Sequence, residues 1–198
     1  MTLNLDYINQ VKVSGIQWHR LTTPCGRADA FPDLFNQIAS GNSKACDLLA
    51  SLVEHQCTLW HATPFALVFL CRILQADTVA PDMKVQILKL LNVIAEAIEY
   101  NLEGNMGGEK HLDCFSDMLQ EKYLWSEIFD EHEDELRYEK EPFTPELDCS
   151  FYFFSLAVLK NHVMMFAKLE GGENSGIRDL AMQLNSTVKS LAWQPCNH

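Results

Sequence analysis

Apolar residues recur at three- and four-residue spacing along most of the chain, and this spacing predicts about seven helices. The predicted helices run from Asp29 to Ala39, from Asn42 to Val53, from Thr63 to Leu74, from Pro81 to Ile98, from Asp113 through Phe129 into the acidic run before Pro142, over Cys149–Leu169 and from Ile177 to Leu191. Strand-like segments are scarce, and residues 1–28 show no clear pattern. The chain is therefore predicted to be all-α, either an α-solenoid or an irregular helical bundle.

The stretch Phe65–Leu74 has almost no polar face, which is typical of a helix covered on most sides. It follows the pair Thr63-Pro64, where the threonine is expected to cap the helix and the proline to occupy its first position. We predict that this helix is the centre of the fold. The second long apolar run, Cys149–Leu169, is predicted to be another central helix, and the pair Thr144-Pro145 precedes it in the same way.

The chain of 198 residues is most simply one all-α domain covering residues 1–198. Its clearest break is the run G-N-M-G-G at Gly104–Gly108, which is typical of a flexible loop. We expect this loop to separate two halves of the same domain.

Composition favours an ordinary cytoplasmic protein. The seven cysteines have no regular spacing, which indicates reduced thiols rather than a disulfide framework. The N-terminal residues lack the basic start and long apolar segment of a signal peptide. No apolar run reaches the roughly 18 residues that a membrane-spanning helix needs.

Negative charge is the most unusual property of the chain. The formal net charge of −12 argues against a nucleic-acid or anionic-membrane binder, because both need Lys and Arg on the contact face. Between Glu127 and Asp148 there are ten acids and two bases, so eight of these negative charges fall in one segment. We predict that this segment binds a partner through Glu127, Asp130, Glu131, Glu133, Asp134, Glu135, Tyr138, Glu139 and Glu141.

The acids are expected at the C-terminal end of the helix that starts at Asp113, where they oppose the helix dipole. Like charges at this density also repel unless a cation or a basic partner relieves them. Tyr138 is expected to be an exposed contact, whereas Trp60 and Trp125 are expected to pack in the core. The alternative interpretation is a solvated acidic surface without a partner.

The segment H-Q-C-T-L-W-H-A-T-P-F-A-L-V-F-L-C-R-I-L resembles a motif of bacterial HEAT-like repeat proteins. That motif has a His-Gln-Gly-Thr turn, an aromatic residue, Ala-Thr, and a helix that begins near a proline. The matching residues are His55, Gln56, Thr58, Trp60, Ala62, Thr63, Pro64, Phe65, Phe69 and Leu70. Cys57 stands where the motif has glycine, a residue that adopts positive φ more readily than cysteine does.

This resemblance implies a HEAT-like fold and a function as an immunity protein, because some such proteins neutralise secreted polymorphic toxins, including those of contact-dependent growth inhibition. A toxic nuclease needs a positive cleft for phosphates, and an acidic surface can occupy that cleft. Charge reversal of Glu131, Asp134 and Glu135 is then expected to weaken the complex and leave thermal stability nearly unchanged. The alternatives are a scaffold or adaptor that inhibits nothing, and a hydrolase that uses His55 or His61.

No motif predicts catalysis, a metal site or a cofactor. His55, Cys57 and His61 lack the second ligand pair of a zinc site, and they are expected to serve the turn, with the histidines and Gln56 bonding backbone groups. Cys46 and Cys57 lack the sequence context of a catalytic nucleophile. A carboxylate pair such as Glu131 and Glu135 occurs on any acidic helix. The chain is therefore predicted not to be an enzyme.

Overall fold

The computed structural model describes residues 5–106, 110–140 and 143–193, and these ranges are mainly helical. They contain nine α-helices: α1 Leu5–Gln10, α2 Phe31–Ala39, α3 Ser43–Val53, α4 Thr63–Gln75, α5 Pro81–Asn101, α6 Glu131–Glu139, α7 Pro145–Asn161, α8 Val163–Glu170 and α9 Ser175–Ser190. Two antiparallel hairpins add short strands: β1 Thr22–Thr23 with β2 Gly26–Arg27, and β3 Glu54–His55 with β4 Thr58–Leu59. The all-α prediction is confirmed.

Helix α4 is the centre of the fold, as predicted. Every residue from Thr63 to Cys71 is buried, as is Leu74. Helices α2, α5 and α7 pack against α4, and α9 packs against α5 and α8. One continuous cluster of buried apolar side chains extends from Ile8 in α1 to Leu191 after α9.

Thr63 does not cap α4, so that prediction is wrong. Ala62 holds the N-cap position, and Thr63 is already helical. The Thr63 hydroxyl donates to the Val53 carbonyl at 2.5 Å and accepts the Trp60 N–H at 3.0 Å. It therefore ties the end of α3 to the start of α4. Thr144 does act as a cap, because its hydroxyl accepts the Leu147 N–H at 3.3 Å.

The predicted helix Cys149–Leu169 is in fact two helices, α7 and α8, with a bend of 50° between them. The bend is at His162, whose backbone N–H bonds the Leu159 carbonyl three residues back. The His162 ring donates from Nδ1 to the Val158 carbonyl at 2.8 Å. In a continuous helix this carbonyl would accept the backbone N–H of His162. A side chain thus competes with the helical hydrogen bond and ends α7.

Within the described ranges, no single helix meets the length and hydropathy criteria for crossing a bilayer. The bent pair α7 and α8 meets them only when the two helices are counted together.

The helix predicted to start at Asp113 contains the largest error, which is its part up to Phe129. In this segment the structure has one 3-10 turn, Phe115–Leu119, and no regular helix from there to α6. Phe115 and Trp125 are buried, but Ile128 and Phe129 are 77% and 66% exposed. Some apolar residues of this segment therefore lie in the core and others at the surface, although their spacing suggested a single buried stripe.

The predicted loop near residues 104–108 falls partly outside the described ranges, since Gly107 and Gly108 are not among them. Before it, α5 runs into a π-helical turn, Leu102–Met106. Gly104 leaves helical geometry there, with φ −75° and ψ −116°. Regular helical geometry after α5 is therefore interrupted at this glycine.

The turn between β3 and β4 has two residues with positive φ, Gln56 at 52° and Cys57 at 62°. Two-residue hairpins of this kind favour Asn or Gly because other side chains are strained in this region. Two bonds hold Cys57 in place: its N–H donates to the Glu54 carboxylate at 2.7 Å, and its carbonyl accepts from Asn101 at 2.7 Å. The turn keeps this conformation without glycine.

Candidate functional site

Helix α6 begins with a group of acids, and only Glu139 lies at its C-terminal end. The Asp130 carboxylate accepts the Glu133 N–H at 3.1 Å and caps the helix, and Glu131, Glu133 and Asp134 lie in the first turn. Negative charge at a helix N-terminus is favourable, so the expectation that these acids oppose the dipole is wrong. Glu141 lies outside the described residues.

Asp134 faces inward and is paired within the chain. Its carboxylate accepts from Arg27 Nε at 2.6 Å and from Arg27 Nη2 at 2.8 Å. The side chains of Arg27 and Asp134 are only 6% and 12% exposed. The expectation that reversing Asp134 leaves stability unchanged is therefore wrong, because reversal would bury two cations together.

Three arginines hold the irregular segment Leu124–Ile128, which precedes α6. A segment outside helix and sheet needs other donors for its carbonyls, and the guanidinium groups supply them. The bonds join Arg137 to Leu124 at 3.0 Å, Arg20 to Trp125 at 2.5 Å, and Arg27 to Ser126 at 2.7 Å and to Ile128 at 3.4 Å. We call Arg20, Arg27 and Arg137 the arginine clamp. Burial lowers the pKa of Arg137, and the other two clamp arginines add to this effect.

Glu127 is paired with the N-terminal part of the chain. One of its oxygens lies 3.0 Å from His19 Nε2, and the other lies 3.5 Å from Arg20. Arg20 also binds Glu121 through two nitrogens, and this hydrogen bond raises the pKa of Arg20 and lowers that of Glu121. Part of the acidic excess is therefore neutralised by cations that are distant in sequence.

Three of the predicted acids, Glu131, Glu135 and Glu139, form what we call the glutamate stripe. They are four residues apart, so they lie along one face of α6, and all three are exposed. In the described part of the chain none of their carboxylates has a hydrogen bond or ion pair. Glu133 is also exposed, on another side of the helix.

Tyr138 lies beside the glutamate stripe and is 42% exposed. One side of its ring stacks on Trp60, with 5.6 Å between the ring centroids and 7° between the planes. Trp60 and Trp125 are both buried, as expected. Tyr138 thus fixes α6 to the core and still presents an edge to solvent.

Ile128 and Phe129, the residues just before α6, were missed by the sequence interpretation, which assigned them to a buried helix face. Both are largely exposed, and the Arg27 guanidinium lies 5.4 Å from the centroid of the Phe129 ring. The signal that could have found them is their position between Glu127 and Asp130. An apolar pair enclosed by acids suits an exposed segment better than a helix face in the core.

No protein-family model, curated protein or solved structure matches this chain. The clamped segment and α6 are therefore the features from which a function is inferred.

The other residues considered for chemistry are either buried or isolated. His61 is fully buried, and its Nε2–H donates to the Met118 carbonyl at 2.9 Å, so it has no access to a substrate. Burial raises the pKa of the Cys46 thiol to about 11, which leaves little thiolate. His55 and Gln56 are exposed, and their expected backbone bonds do not form in the described part of the chain. No group of three or more His, Cys, Asp or Glu side chains in the described ranges could hold a metal ion.

Stability should depend on pH through His61. Burial lowers its pKa from 6.5 to about 4, so between these values the unfolded chain binds a proton that the folded chain does not. The contribution of His61 to the free energy of unfolding is then fully present above pH 6.5 and decreases as the pH falls. From pH 8 to pH 5 we expect His61 to remove roughly 2 kcal/mol from the free energy of unfolding. Urea titrations of the wild type and His61→Phe at both pH values measure this, and equal losses in the two proteins would contradict it.

Proposed function

We propose that the protein is an immunity protein that binds a basic toxin domain, such as a nuclease, and covers its active cleft with the glutamate stripe. One observation carries the proposal: Glu131, Glu135 and Glu139 share an exposed face and have no cationic partner in the described part of the chain. Like charges four residues apart destabilise a helix by a few tenths of a kcal/mol per pair. A cationic surface would remove that repulsion.

The way α6 is attached supports the same proposal. Asp134 and Tyr138 face the body of the protein and hold the helix through Arg27 and Trp60. The glutamate stripe lies beside these contacts and is exposed, so a partner can reach it without replacing them. Four residues of helix span about 6 Å, and the stripe therefore offers carboxylates at regular steps over about 12 Å.

Electrostatic steering makes the proposal testable. Charges at an exposed interface raise the association rate, and salt reduces their effect. The toxin domain for this test is to be sought as the C-terminal part of a large secreted protein encoded directly upstream. Association and dissociation rates are measured by surface plasmon resonance at several salt concentrations, and inhibition is measured by assaying the toxin activity.

The variant E131K/E135K/E139K should associate at least tenfold more slowly than the wild type, with a much weaker salt dependence. Its free energy of unfolding should stay within about 1 kcal/mol of the wild type, because all three side chains are exposed. The matched control D47K/D77K/E96K makes the same charge change at exposed acids elsewhere. If both variants slow association equally, the effect comes from the net charge of the protein, and the stripe has no specific role in binding. Binding without inhibition would favour the scaffold alternative.

A further inference from the structure

Ile128 and Phe129 are the only adjacent pair among the large apolar side chains that are exposed in the described ranges. The others are separated from one another in sequence: Leu48, Val93, Tyr100, Tyr138, Met164 and Met182. Isolated exposed apolar residues are common and need no explanation. Two neighbouring ones at the start of an acidic helix are less common.

The fold does not need this pair for its core, because neither side chain is buried. The path of the segment is set by the arginine clamp, which bonds the carbonyls of Leu124, Trp125, Ser126 and Ile128. The Phe129 ring meets the Arg27 guanidinium on one side and leaves most of its surface open. A side chain displayed on a backbone held in this way loses little conformational freedom when it binds, which favours affinity.

The surroundings of the pair are acidic. Glu127, which is paired with His19 and Arg20, precedes it, Asp130 follows it, and the glutamate stripe, unpaired within the described ranges, begins at Glu131. Protein interfaces commonly have this organisation, with large apolar anchors near the centre and charged residues around them. The complementary surface is apolar in the centre and cationic at its edge. An anionic membrane or a nucleic acid lacks that combination and would be repelled.

We infer that Ile128 and Phe129 are the anchors of the α6 interface, and that the partner protein receives them in an apolar socket edged with Lys or Arg side chains. This inference rests on the proposed function, because the acids that define the edge are the ones that steer the toxin domain. It also assigns a different kinetic role to each group: the glutamate stripe sets the association rate, and the apolar pair sets the dissociation rate.

Two helical peptides test the inference without the toxin. Both carry Lys at every fourth position, and they differ only beside the lysines, where one has Leu and the other Ala. Fluorescence anisotropy gives the affinity of each peptide for the full chain. The wild type should bind the Lys-Leu peptide at least tenfold more tightly than the Lys-Ala peptide, and I128S/F129S should lose that preference. The control L48S/V93S, which removes exposed apolar residues on α3 and α5, should keep it.

The two proposals fail in different ways. Equal affinity of the wild type for both peptides, or an unchanged preference in I128S/F129S, would show that Ile128 and Phe129 are not anchors. The proposed role of the stripe would not be affected. The Lys-Ala peptide should bind less tightly at high salt and to E131K/E135K/E139K. If it does not, the proposed role of the stripe is wrong. No binding of either peptide would overturn both. Circular dichroism verifies that each variant is folded.

Discussion

Replacing Arg27 with alanine is expected to lower the free energy of unfolding by about 3 to 5 kcal/mol, the usual cost of removing one partner from a buried ion pair. Asp134 would keep a charge that is only 12% exposed and lose both of its strong hydrogen bonds. The carbonyls of His19 and Ser126 would also lose their donor, which bonds them at 2.8 and 2.7 Å. One substitution therefore releases both α6 and the segment before it.

Urea titration followed by circular dichroism measures this loss. Arg27→Lys should lose less than Arg27→Ala, because lysine keeps the charge but cannot bond both carboxylate oxygens in parallel. Arg178→Ala is the matched control: Arg178 is 45% exposed and lies 3.6 Å from Asp179, so its loss should stay below about 1 kcal/mol. A change of similar size in Arg27→Ala and Arg178→Ala would mean that the Arg27 pair is not structural.

The sequence predicted the helices whose own pattern determines their burial. Helix α4 is apolar on all sides, and α9 has one apolar face with the cap Asn174 before it, whose side chain accepts the Ile177 N–H at 3.1 Å. Helix α5 begins at Pro81, as its proline suggested. In these cases the local signals and the tertiary packing agree, so periodicity is sufficient to place the helix.

The path before α6 could not be predicted, because its hydrogen bonds come from residues that are distant in sequence. Arg27 and Asp134 are separated by 107 positions, and Arg20 and Trp125 by 105. Periodicity describes neighbours within one segment and contains no information about such pairs. The segment has helical spacing, but the arginine clamp bonds its carbonyls in a non-helical conformation, and tertiary contacts override the local pattern.

The same limit applies to the candidate site. Counting acids between Glu127 and Asp148 treats every carboxylate as equal, but in the folded chain these carboxylates have different partners. Asp134 and Glu127 bind cations of the N-terminal segment, Asp130 caps α6, and Glu131, Glu135 and Glu139 remain free in the described part of the chain. The resemblance to HEAT-like immunity proteins stays a prediction, and the stripe is the part of it that binding experiments can test.

Phe115→Ala and Phe129→Ala should differ strongly in stability, although the pattern had placed both residues on one buried helix face. Phe115 is fully buried, with ring centroids 4.8 Å from Phe65 and 5.4 Å from Phe154, so truncation leaves a cavity and should cost about 3 to 5 kcal/mol. Phe129 is 66% exposed and loses mainly its contact with the Arg27 guanidinium, so its truncation should cost at most about 1 kcal/mol. Urea titrations of both variants measure the difference. Similar losses would show that Phe129 is part of the core, and they would remove the reason to assign it to an interface.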